Sequence, residues 1–172
     1  MRTNIDAVRN VLLAGLILLL AVLPAKGEQS QPEEYEGLQG ASSIRTVFDV
    51  RAGAPKSAAI QLDLILQTFS DGNIRFVDER PEFVVVFIGP AVKLVTTDVK
   101  GFQPEEQEYI EKIGAIVREM ARQGIKLEIC IFAAEVMGVD PATILPAIKH
   151  VRNGWISMIG YQAQGYSLVP VY

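Results

Sequence analysis

The chain has 172 residues, 49% of them hydrophobic, and a formal net charge of −4 with 16 Lys and Arg against 20 Asp and Glu. The positive residues are scattered along the chain, which argues against nucleic acid or anionic lipid as a partner. A single cysteine, Cys130, excludes an internal disulfide framework, so stability must come from packing.

Arg2 and Arg9 precede an unbroken apolar run from Val11 to Leu23, followed by Pro24 and the small residues Ala25 and Gly27. The run falls short of the roughly 20 residues needed to cross a bilayer. The pattern predicts a secretory signal over residues 1–27, cleaved after Gly27, and the competing reading is an uncleaved amphipathic anchor. A cleaved signal implies passage across the inner membrane, a periplasmic location and no stable membrane anchor afterwards. No cysteine lies near the cleavage region, so a lipoprotein anchor is excluded, and the twin-arginine pair is missing. Loss of Arg2, Arg9 and Lys26 with Asp6 removes three positive charges and one negative, taking the net charge from −4 to −6. What remains is the size of one ordinary domain.

Residues 28–43 are rich in Glu, Gln, Ser and Gly without an apolar period, and read as a flexible leader. Ile44 to Val50 has the β-branched and aromatic content of a strand, ending at Arg51, Ala52 and Gly53. Pro55 suits the first turn of a helix that continues to Phe69, with Leu62, Ile65 and Phe69 on one face and Asp71-Gly72 closing it. Phe83 to Ile88 is a continuous apolar run, as a central parallel strand requires. It stops at Gly89-Pro90, and a short helical stretch is expected through Val95.

The clearest helix begins at Pro104, carries Glu105, Glu106 and Glu108 early and Arg118 and Arg122 late, and ends before Gly124. Ile110, Ile113, Ile116, Val117 and Met120 form its apolar stripe. Leu127 to Phe132 is the third strand. Asp140-Pro141 starts a short helix that Pro146 should interrupt, and Lys149 to Arg152 reads as a solvated helix end. Asn153 suits the cap of a helix from Gly154 to Gln164, although Trp155 to Ile159 has strand propensity too. Ser167 to Tyr172 closes the domain as a strand. Alternating strands and helices over residues 44–172 imply one parallel, three-layer α/β domain.

Ligands of such sheets gather at the carboxyl ends of the strands. Those ends supply the pocket candidates Arg51, Gly53, Gly89, Pro90 and Ala91, with Cys130 at the third end and Glu135 just beyond it. Cys130 is thus the candidate catalytic residue, either a reactive thiol or a small buried hydrophobe. Asp49, Arg51 and Glu135 suit tuning of a thiol or binding of a polar ligand, and equally a role as cap or rim charges. Trp155, Tyr161 and Tyr166 point to core packing or a subunit contact. His150 is the only histidine, and a pair with Cys130 requires only that the two meet in space. One Cys and one His build no structural zinc site, and phosphate-loop, dinucleotide and serine-triad patterns are missing, so neither a metal nor a cofactor is expected.

These residues together resemble the DsrE/DsrF-like family, including its YchN-like members. The resemblance rests on Phe83–Ile88 ending in Gly89, Pro90, Ala91 and Val92, on Gly124 to Cys130, on Gly138 to Asp140, and on the ending from Ile159 to Tyr166. It covers residues 44–172, and the block Gly154–Tyr166 suggests an exported subgroup. The resemblance implies a three-layer α/β/α fold with a mainly parallel sheet of about five strands, assembled as a homo-oligomer, a trimer or hexamer. Some cytoplasmic members carry sulfur as a persulfide on a cysteine at the position that Cys130 matches. This chain departs from them in its export signal and in lacking a second cysteine to resolve a persulfide. Two functions follow. One is sulfur handling through Cys130, with a small sulfur-containing ligand or a protein partner. The other is a non-catalytic oligomeric module that binds a small ligand or a protein, with Cys130 as a pocket or core residue.

Overall fold

The computed structural model describes residues 35–172, so the expected signal segment and the start of the leader lie outside the described residues. Five strands, β1 (Arg45–Val50), β2 (Glu82–Phe87), β3 (Lys126–Cys130), β4 (Lys149–Val151) and β5 (Ser167–Val171), form one sheet in the order β4-β3-β2-β1-β5. Every pairing is parallel, as the alternating elements predict. The helices are α1 (Pro55–Ser70), α2 (Gly72–Val77), α3 (Pro104–Arg122), α4 (Ile131–Val136) and α5 (Gly154–Ala163).

Register sorts the strand residues into two faces, because successive side chains point oppositely and paired residues point alike. Phe48, Phe83, Val85, Phe87, Leu127 and Ile129 share one face. Helices α1 and α3 cover it. The ring of Phe69 in α1 meets Phe83 at 5.2 Å, and Phe83 meets Phe48 at 5.1 Å. The α3 stripe of Ile110, Ile113, Ile116, Val117 and Met120 is buried, at about 1.5–3 kcal/mol for each large side chain taken out of water. Helix α3 forms as expected, with Pro104 in its first turn and the Glu106 carboxylate accepting from the Gln103 backbone N–H at 3.0 Å.

The opposite face carries Val47, Asp49, Val84, Val86, Glu128 and Cys130, and α5 lies across it. The segment from Trp155 to Ile159 is helical despite its strand propensity. Asn153 Oδ1 accepts from the Trp155 N–H at 2.9 Å, and Gly165 takes the left-handed φ of 87° beyond the last turn. Gly154 lets α5 approach the sheet closely. A Cβ there would lie 2.8 Å from Ile88 Cδ1 and 3.1 Å from Cys130 Cβ.

Several boundaries differ from the sequence expectation. Asp71 does not end the helical region; it also caps α2, accepting from the Asn73 N–H at 2.8 Å. Strand β3 stops at Cys130, and Ile131 and Phe132 begin α4. Gly89–Leu94 and Pro141–Thr143 are 3-10 turns. Lys149 to Val151 is an edge strand instead of a helix end, pairing with Glu128 to Cys130. The open edge of β3 offers backbone partners, and Pro146 blocks a helix running through from Pro141.

At the other edge, the Arg51 N–H donates to the Val171 carbonyl at 2.8 Å. By alternation Val169 and Val171 turn their backbone groups towards β1, whereas Leu168 and Pro170 turn theirs outward. The N–H that Pro170 lacks therefore belongs to the free edge, where its loss costs no ladder bond.

Candidate functional site

The carboxyl ends of β1, β2 and β3 come together in neighbouring turns. A Cβ on Gly53 would lie 2.7 Å from Pro90 Cβ, so the turns after β1 and β2 abut; Ala52 and Ala91 are buried beside them. Gly89 adopts φ 59°, a left-handed value that glycine takes without strain. Arg51 is engaged by Asp49, its Nε donating to both carboxylate oxygens at 2.8 and 3.0 Å. Glu135 pairs with Arg152 at 2.7 Å on the exposed surface.

Cys130 is only 4% exposed. It lies beneath the first residue of α5, next to Gly154 and near Ile88. His150 pairs in register with Ile129, so its side chain leaves the sheet on the face opposite Cys130. The fold therefore separates the two groups, and this geometry does not form a Cys-His pair.

A feature the sequence reading passed over lies two residues back along the same face of β3. Between β3, β4 and α5 is a cavity of about 760 Å³, lined by Lys126, Glu128, Lys149, Ile156, Tyr161 and Gln164 among others. Glu128 is 5% exposed. Its Oε1 accepts from the Tyr161 hydroxyl at 3.0 Å, while its buried Oε2 has no hydrogen-bond partner among the described residues. Burial, and then the negative charge of Glu128, push the Tyr161 hydroxyl up to about 12, which keeps it a donor across the physiological range.

A charged cluster stands at the amino end of the strands. The Tyr166 hydroxyl donates to Glu82 Oε2 at 2.6 Å, and Lys126 Nζ donates to the same oxygen at 3.2 Å. The Tyr166 hydrogen bond, then that of Lys126, holds the Glu82 carboxyl below the ordinary carboxylate value. Burial alone would lower Lys126, but its bonds to Glu82 and Tyr166 outweigh that and raise it. The Arg45 guanidinium sits 4.7 Å above the Tyr166 ring.

The sequence carried one sign of Glu128. Lys126, Glu128 and Cys130 alternate with Leu127 and Ile129, a pattern that reads as a strand with one solvated face. Only the placement of α5 over that face buries the carboxylate. Among the described residues no group of three or more His, Cys, Asp or Glu is arranged to hold a metal ion.

The fold and the site define a small α/β protein built on one parallel sheet, with a lone thiol buried at the end of its third strand. The profile of the DsrE/DsrF-like family matches residues 45–171, and the chain belongs to that family. It is similar to an uncharacterized protein of Aquifex aeolicus (strain VF5), at 25% identity over 131 residues, 76% of this chain and 57% of that relative. The chain thus spans little more than half the length of the curated relative it matches. Among solved structures, MTH1491 from Methanobacterium thermoautotrophicum, a protein of unknown function, superposes with a TM-score of 0.58 at 16% identity, over 74% of this chain and 99% of that one. That likeness shows the fold. The ychN protein from E. coli gives a TM-score of 0.46 at 11% identity over the same shares of the two chains.

Proposed function

We propose that this protein is an exported, homo-oligomeric binding module of the DsrE/DsrF-like family, in which Cys130 belongs to the core and does not react. The observation that carries the reading is the burial of Cys130 under Gly154, together with a cavity of about 760 Å³ that the thiol does not line. A cavity of that size suits a small organic molecule. Export rests on the Arg2, Arg9 and Val11–Leu23 pattern. Assembly as a trimer or hexamer rests on the family resemblance and on exposed apolar side chains. Trp155, Ile156 and Ile159 on α5 are 60%, 68% and 66% exposed, and Phe132 and Val136 on α4 are also exposed. The Phe132 N–H bonds the Arg152 carbonyl, so the two apolar stripes begin side by side.

Iodoacetamide labelling tests the role of the thiol. Native protein stays unlabelled and denatured protein takes one label per chain; Cys130→Ser keeps its fold and oligomer size. Rapid native labelling with an inflection well below the ordinary thiol range would overturn the reading.

Sulfur handling through Cys130 is the second reading, favoured by the position of the thiol at the carboxyl end of β3 within the family match. Intact mass of protein taken natively separates the two. An added sulfur, about +32 by atomic mass, that disappears on reduction and in Cys130→Ser supports sulfur handling; an unmodified mass supports the binding module.

A further inference from the structure

Glu128 poses a chemical question that the fold leaves open. A carboxylate buried in the protein is costly unless donors surround it. Tyr161 supplies one neutral donor to Oε1, and nothing among the described residues meets Oε2. Lys149 is the in-register neighbour of Glu128 on β4 and lines the same cavity, yet it stays exposed and makes no ion pair among the described residues. Lys126, the other cation at the rim, is already engaged by Glu82. Glu128, which lines the cavity, thus keeps an acceptor with an unmet demand just behind its wall, and an uncommitted cation stands one strand away, about 4.8 Å in backbone spacing.

We propose that this cavity binds a small amino-carboxylate, whose ammonium donates to Glu128 Oε2 and whose carboxylate, a few bonds away, meets Lys149. The inference deepens the binding-module reading and rests on it. An ammonium suits the acceptor better than a hydroxyl or amide does, because charge-assisted hydrogen bonds are about twice as strong as neutral ones. Opposite charge also offsets the desolvation of the buried carboxylate. Tyr161 occupies the other oxygen, Oε1, and leaves Oε2 as the acceptor for a ligand. Because Oε2 is shut off from bulk solvent, the ligand reaches it through a rotamer change of Glu128 or Tyr161. Ile156 and Ala147 give the aliphatic middle of such a ligand an apolar wall.

Calorimetric titration of the full chain with 4-aminobutanoate, its N-acetyl derivative and n-butylamine tests the assignment. The amino acid is expected to bind, and the acetylated form, which has lost the ammonium, to bind at least about ten-fold more weakly. Glu128→Gln keeps the side-chain shape and weakens 4-aminobutanoate by roughly ten- to a hundred-fold. Lys149→Met weakens the amino acid but does not weaken n-butylamine, which has no carboxylate to lose, and its surface position keeps the fold safe if Glu128→Gln proves unstable. Equal binding of the acetylated compound, an unchanged affinity in Glu128→Gln, or a crystal structure with only water or Lys149 on Oε2 overturns the proposal. If an uncharged compound binds and Ile156→Trp blocks it, the ammonium assignment falls and the binding-module reading stands. If no compound binds and native protein carries sulfur on Cys130, both fall.

Discussion

The two faces of the sheet are built on opposite terms. Under α1 and α3 every buried residue of the central strands is apolar, and aromatic rings interlock from Phe48 through Phe83 to Phe69. Under α5 the same strands present Asp49, Glu128 and Cys130, and a large cavity stands beside them. The first face has the close packing of a core, in which a lost methylene is felt. The second keeps a buried carboxylate half satisfied and a short helix whose outer side is apolar and exposed. Both faces bury valines or larger apolar side chains, but the interlocked rings lie on one side of the sheet and the buried polar groups on the other.

Substitutions measured by urea denaturation put that contrast at risk. Phe83→Ala on the packed face removes a buried ring held between two others and is expected to cost about 3–5 kcal/mol. Gly154→Ala comes next, since its Cβ would press on Ile88 and Cys130; about 1–3 kcal/mol is expected, with faster labelling of Cys130 as α5 lifts. Glu128→Gln should change stability by less than about 1 kcal/mol, because it removes a charge whose second oxygen has no partner. A cost for Glu128→Gln near that of Phe83→Ala would erase the distinction between the faces.

The smallest effects are those of pH. The folded Glu82 carboxyl titrates below its ordinary value of 4.5, so its contribution is present above that value and is lost as pH falls through the lowered one. Tyr166→Phe removes the largest cause and should flatten the acid limb of a stability profile. Tyr161 runs the other way. Its folded value, about 12, lies above the ordinary value of 10.0, so its contribution is full below 10.0 and is lost as pH rises towards 12. Glu128→Gln should bring that alkaline loss to lower pH. Both groups are partly exposed, and solvent keeps each effect modest.

Much of this architecture is legible in the sequence, for local reasons. The run from Phe83 to Phe87 needs burial on both sides, and β2 is flanked by β1 and β3. Pro104, Glu106 and the spaced isoleucines specify α3 without help from the rest of the chain. Strand β4 was not legible, because Lys149, His150 and Val151 have no pattern of their own and become a strand only by pairing with β3. The pocket candidates lie at the strand ends that the element order implies, but the close approach of Gly53 to Pro90 is a contact between distant turns that no local pattern announces. Glu128 escaped because its polarity looked like exposure. What buries it is a helix that begins 26 residues later in the chain.

The edges of the sheet carry a consequence for how copies can join. Pro170 faces outward on β5, and the opposite margin is β4, a strand of three residues. Neither border is a good template for another chain to extend by hydrogen bonding. In the proposed assembly, copies would therefore meet through helices, where Trp155 and its neighbours stand exposed. Contacts of that kind can close into a ring of fixed number, whereas strand addition has no natural end. A proline in the last strand thus works against extension of the sheet into a fibre.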